Sequence, residues 1–185
     1  MAQCLWACKS GLPGWTILEP RYKDLHEFFV KFLGVKTLTL ELVHSELDRL
    51  GSSSDTTRDQ VEPILWTLNS FISAGGHTPD AKTLLDRQIF PVRYPDGHVR
   101  LEKASAEFAI VDRRPLGDIF KHKVKTLDLD LDQVRRLGPT LSWLGLGARY
   151  LSEAVREVSQ VQGDDKELLS SPERSIKHRA HALYR

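Results

Sequence analysis

The residues best suited to chemistry sit in one stretch. Asp112-Arg113-Arg114 follows the apolar run Phe108-Ala109-Ile110-Val111. A carboxylate at a strand exit can accept backbone amides, and neighbouring arginines can clamp an anion with paired N–H donors. Upstream, Arg93 and His98 flank a turn at Pro95-Asp96-Gly97. Brought together by folding, Arg93, His98, Asp112 and Arg113 would form a contact site for an anion or a partner. The competing reading is an ion pair that fixes a strand–helix corner. It is preferred, because nothing else in the stretch supplies a nucleophile with its base.

Other constellations are thinner. Asp128, Asp130 and Asp132 alternate and would line one face of a strand. Such a row suits a hard cation. The central glycine and distal glutamate of an EF-hand loop are missing, so a solvated face is the simpler reading. The chain has 7 histidines, but none lies in HExxH, and no serine lies in GxSxG. His178 and His181 would share a helix face in the basic tail without a carboxylate to orient them. No GxxxxGK[ST] loop or GxGxxG turn occurs. Gly145-Leu146-Gly147 lacks the third glycine and reads as a helix joint. Cys4 and Cys8 would share one face at helical spacing, yet two thiols cannot close a zinc site alone. They read as reduced thiols. The motifs therefore imply no cofactor and no metal.

The elements that would position these residues alternate between two periodicities. Leu25, Phe28, Phe29, Phe32 and Leu33 recur at three- and four-residue steps, predicting an amphipathic helix with an aromatic face. A second helix starts at the Thr39 cap and stops at Gly51. A third opens near Asp55 or Thr56, carries Pro63, and ends at Ala74-Gly75-Gly76. Thr78-Pro79-Asp80 starts a short fourth. The period then drops to two: residues 89–94 and 98–103 form a hairpin around Pro95-Asp96-Gly97, and 108–111 and 124–129 are further strands. Residues 115–122 make one or two helical turns, with Leu116, Ile119 and Phe120 inward. A helix from Leu131 stops at Gly138-Pro139, and another runs from Tyr150 to Val158.

This is an α+β pattern: helical N-terminal and C-terminal halves around a small, mainly antiparallel sheet. It divides into an irregular segment 1–20, an α+β domain 21–160, and a polar linker with a basic helix at 161–185. The 26 basic and 25 acidic residues nearly cancel, which removes any global electrostatic argument for nucleic acid or an anionic membrane. No apolar run approaches the roughly 18 residues of a membrane span. The first residues lack the charged start of a secretory signal. The expected location is intracellular, in the cytoplasm.

Several segments together resemble a known family: LTLELVHSEL (38–47), ILWTLNSFI (64–72), IFPVRYPDGHVRL (89–101), FAIVDR (108–113), KTLDLDLDQVRRL (125–137), LSWLGLGARYLSEAVREV (141–158) and SSPERSIKHRAHALYR (170–185). They are similar to an internal region of large fungal proteins related to plant NO VEIN and to sacsin-type repeats. Those proteins carry an Hsp90-type ATPase domain upstream. The resemblance spans residues 25–185 and rests on apolar and turn positions. It carries over no nucleotide-binding residue, because the Glu/Asn helix and the DxGxG loop of the ATPase are missing; Asp96-Gly97 has no second glycine after it. The resemblance implies a downstream scaffold region, and the abrupt end of the basic helix suggests a stand-alone fragment.

Three functional expectations result. The first is a non-catalytic scaffold or interaction module that works intramolecularly or with a protein partner. The second is an accessory protein or small enzyme of fungal secondary-metabolite biosynthesis that uses Arg93, His98, Asp112 and Arg113. The third is weak nucleic-acid contact through the basic tail from Arg174 to Arg185.

Overall fold

Strand β4 (Phe90–Arg93) is where the two periodicities meet. Ile89, Phe90, Pro91 and Val92 are all buried, on both faces. A strand buried on both faces must be central, and it is. In the computed structural model β4 pairs antiparallel with β5 (Val99–Glu102) on one side and β6 (Thr126–Leu127) on the other. The structure describes residues 3–6, 12–18, 22–75 and 79–155. The architecture is α+β, and this small antiparallel sheet is its hub.

The hairpin joining β4 to β5 follows from its turn residues. Gly97 takes a φ of 92°, which a side chain would disfavour. Its N–H donates to the Tyr94 carbonyl at 2.9 Å, and Tyr94 N–H donates to His98 at 2.8 Å. Beyond β6 the order continues through single bridges rather than a full strand. Ala109 pairs with Thr126, and Ile110 with Tyr150. The apolar run 108–111 thus reaches the core without making a ladder.

Helix α1 (Leu40–Gly51) begins where Thr39 accepts the Leu42 N–H, and it buries Leu40, Val43, Leu47 and Leu50. Helix α2 (Arg58–Ser73) opens with a Thr57–Gln60 capping box and buries Val61, Ile64, Leu65 and Leu68. It ends at Gly75, whose φ is 72°. Helix α3 (Lys82–Leu85) adds Leu84, helix α4 is Arg114–Phe120, helix α5 is Leu131–Trp143 and helix α6 is Leu151–Ala154. These stripes meet β4 in one core cluster that includes Val43, Leu47, Ile64, Leu68, Leu84, Ile89 and Val92.

Four expectations need correction. The helix from Leu131 does not stop at Gly138-Pro139; α5 runs on to Trp143. The clash that keeps pre-proline residues out of helix involves their Cβ, and Gly138 has none. Asn69 of α2 steadies this turn, donating to the Arg136 carbonyl at 2.9 Å and accepting from the Thr140 hydroxyl at 2.8 Å. The aromatic segment is not one amphipathic helix with its face inward. It is a 3-10 turn at Lys23–Leu25 followed by a π-helical turn at Phe28–Phe32, and Phe32 is 81% exposed. Three short strands also form a second, parallel sheet: β1 (Gln3–Trp6) lies between β2 (Trp15–Ile17) and β3 (Lys36–Thr37). Cys4 therefore sits in a strand, not on a helix face, and Cys8 lies outside the described residues. Lastly, Ile119 points to solvent at 54% exposure. The region 156–185, with His178, His181 and the basic tail, also lies outside the described residues.

Candidate functional site

The three alternating aspartates end in three different places, because a helix starts in their midst. Asp128 follows β6 and is 8% exposed. Its N–H donates to Pro91 at 2.7 Å, which fixes it to β4. Its carboxylate receives Arg93 of β4, at 2.8 Å from Nε and 2.6 Å from Nη2, and also Arg58 of α2 through Nη1. Arg58 continues to Glu62 at 3.0 Å, and Glu62 accepts from Gln133 of α5 at 3.2 Å. Asp130 is the N-cap of α5: it accepts the Gln133 N–H at 2.7 Å, and the Gln133 side chain returns the bond. Asp132 lies in the first helical turn, exposed, 3.6 Å from Arg135. Among the described residues no group of three or more His, Cys, Asp or Glu could hold a metal ion.

The four candidate residues have separate surroundings. Arg93 is bound to Asp128. His98 stands at the hairpin tip, where Asp96 accepts its backbone N–H at 3.0 Å and faces its ring at 3.3 Å. That backbone N–H, with the ring's charge, holds the exposed Asp96 carboxyl below its ordinary value. Arg113 is the exposed N-cap of α4, ahead of Pro115 in the first turn. Asp112 accepts the Ser152 N–H at 3.1 Å and the Ser152 hydroxyl as well. Burial, then the charge of Asp112, push the Tyr150 phenol up.

Around Arg93 opens a groove of about 610 Å³. Arg114, Lys121 and Arg135 join Arg93 on its walls, and Asp118, Asp128, Asp130 and Asp132 face them. Four cations and four carboxylates cancel, so the groove has no surplus charge for an anion. Of the four candidates only Arg93 lines it.

Two partners had no sequence signal: Arg58 lies 70 residues from Asp128, and Ser152 lies 40 from Asp112. The exposed aromatic segment was misread rather than missed. Tyr22, Leu25, Phe28, Phe32 and Leu33 all face solvent, while Phe29 packs on Trp6 at 6.0 Å.

A protein-family model matches residues 41–155, more than half of the chain. The chain belongs to the DUF8348 family, described as a domain of unknown function. No curated protein and no solved structure matches it. The DUF8348 match opens at the second residue of α1 and closes at Val155, where the compact unit also ends. It contains the antiparallel sheet, the Asp128 cluster and the Asp112–Ser152 pair. The parallel sheet and the exposed aromatic segment precede it. Among the described residues no helix is long and apolar enough to cross a membrane.

Proposed function

We propose that the chain is a non-catalytic interaction module, working through its surface on a protein partner or on another part of a NO VEIN-like or sacsin-like protein. One observation carries this reading: the polar groups best typed for chemistry are engaged in joining elements. Asp128 ties α2, β4 and β6 together, and Asp112 holds the start of α6. A catalytic carboxylate must meet its substrate. These two meet the protein's own donors. The aromatic segment supports the same reading, since exposed apolar clusters mark contact surfaces. Lys23 and Lys31 there are balanced by Asp24 and Glu27, so the segment lacks the basic surplus that a nucleic acid or an anionic membrane would need. A protein surface is its fitting partner.

Thermal melting of Asp112→Ala and Asp128→Ala tests the reading. Groups gathered for catalysis are usually held at a cost to stability, so removing them leaves the melting temperature unchanged or raises it. Groups that join elements lower it when removed. Both variants are expected to melt below the parent. A melting temperature unchanged or raised in either would overturn the assignment.

A further inference from the structure

Among the described residues the antiparallel sheet ends in an open edge. β6 covers one side of β4, but β5 pairs with β4 alone. The ladder shows what the outer edge of β5 offers. Residues of an antiparallel pair alternate between bonded and non-bonded positions. Tyr94 donates its N–H to the His98 carbonyl at 2.8 Å, so that pair is bonded. Two residues on, Val92 opposite Arg100 is bonded in turn, and then Phe90 opposite Glu102. Pro91, which has no N–H, falls in the non-bonded position opposite Leu101, where a proline is tolerated. Its carbonyl points the other way, to the Asp128 N–H at 2.7 Å. Val99 and Leu101 therefore turn their N–H and carbonyl groups away from β4. Among the described residues no other element takes them up. Beside β5 opens a polar cleft of about 310 Å³, which Val99, Arg100 and Leu101 line together with Ser53, Ser54 and Thr56.

A free strand edge is a template for another strand. The charges on β5 decide which one. Arg100 and Glu102 stand two residues apart on one face. Arg100 is exposed, its guanidinium 5.8 Å from the centre of the Tyr94 ring. Glu102 accepts the Tyr94 hydroxyl at Oε1, which leaves Oε2 for a cation. A second β5 laid antiparallel on the first must match outward groups with outward groups, so few registers are allowed. Centred on Arg100 or on Glu102, the pairing sets like charges directly opposite each other, which is destabilising. Centred on Val99, it places Arg100 across from His98 and Glu102 across from Asp96. Centred on Leu101, it places Arg100 across from Glu102 twice, Leu101 against Leu101, and Val99 against Lys103. Only in this last register is β5 complementary to itself.

We infer that β5 is a self-association edge: two copies of the chain pair antiparallel through β5 across a two-fold axis at Leu101, joining two three-stranded sheets into one. Each Leu101 N–H donates to the Leu101 carbonyl of the other copy. The two Arg100–Glu102 pairs flank this centre in the non-bonded positions, where side chains come closest. So short a pairing makes a weak, reversible dimer. The inference goes beyond the interaction-module reading, which a monomeric chain would leave standing.

Sedimentation equilibrium of the full chain, from micromolar to millimolar concentration, tests it. The parent is expected to pass from monomer to dimer. Arg100→Glu and Glu102→Arg each set like charges opposite one another twice, and each should weaken the dimer about tenfold. Mixed in equal amounts, the two variants bring unlike charges together at both places, so they should associate with each other as tightly as the parent does with itself. That rescue also shows that both variants fold. The double variant Arg100→Glu/Glu102→Arg should regain the parent's affinity on its own. A parent that stays monomeric, a dimer that neither single variant weakens, or a mixture and a double variant that both gain nothing over the single variants would overturn the assignment.

Discussion

Asp112 caps a helix whose second residue, Ser152, lies 40 residues after it: its carboxylate accepts both the backbone N–H and the hydroxyl of Ser152. Helix α6 needs this, because Tyr150 at its own N-cap offers no side-chain bond. The first N–H groups of any helix lack intrahelical partners, and here one is satisfied from a distant loop. The exit of the 108–111 segment and the start of α6 are thus locked together. Removing the carboxylate by Asp112→Ala should lower stability by about 1–3 kcal/mol. Ser152→Ala should lower it less, and the double variant should cost less than the sum. Urea unfolding of the three variants measures this.

The same carboxylate reaches Tyr150. Burial first, and Asp112 second, raise the phenol above its ordinary 10.0. A raised phenol contributes stability that is fully present below the unfolded value and is lost as pH rises through the folded one. The protein should therefore lose stability above about pH 10 in a step that Tyr150→Phe removes. Ultraviolet titration should find Tyr150 ionising late, as a component that Tyr150→Phe removes, and Asp112→Asn should bring it only part of the way back, since burial is the larger cause.

Gly51 ends α1 against the loop that leads into β4. A Cβ there would lie 2.5 Å from Cβ of Arg87 and 2.8 Å from Cγ2 of Ile89. Alanine would gain at most about 1 kcal/mol of helix propensity. Overpacking at a site closed by Ile89, a core residue, costs about 1–3 kcal/mol. Gly51→Ala should lower the urea midpoint, the reverse of what a helix-propensity rule would suggest.

Leu47 and Phe32 invert the usual weight of apolar side chains. Leu47 is wholly buried in the core cluster, whereas Phe32 is almost bare. Leu47→Ala should cost about 2–5 kcal/mol. Phe32→Ser should stay within about 0.5 kcal/mol while raising solubility. A large loss on Phe32→Ser in the same unfolding experiment would mean that this ring is part of the core.

These cases show what could be read from the chain. Caps and stops are local chemistry, so Thr39, Gly51, Gly75 and the Gly97 turn stood out as helix or hairpin signals. The core stripes of α1 and α2 were equally plain, because 3.6-residue periodicity is written in adjacent turns. The parallel sheet was not legible: Leu5 pairs with Ile17 and with Lys36, and no neighbouring residue reports such pairing. The aromatic segment carried a helical period with no way to tell whether a partner surface existed to bury it. Asp128, Asp130 and Asp132 misled for a third reason. A two-residue period was extended across a helix start, where Asp130 became a cap. At the candidate site, Asp112 at a strand exit was read first as half of an ion pair at the strand–helix corner and only second as an acceptor of backbone amides; its carboxylate accepts the N–H and the hydroxyl of Ser152. That Ser152 would be the donor, and Arg58 the second cation on Asp128, depended on contacts made only by folding.

Asp128 and Arg93 provide the sharpest test of whether this polar cluster is architecture. Their side chains are 8% and 48% exposed, so the carboxylate is dry and the arginine is half in water. A double-mutant cycle with Asp128→Asn, Arg93→Gln and both together isolates their coupling in urea unfolding. Structural pairing requires each single variant to be destabilised and a coupling of about 0.5–3 kcal/mol. Singles that leave stability unchanged, with no coupling between them, would contradict it and return Arg93 and Asp128 to the residues a ligand could claim.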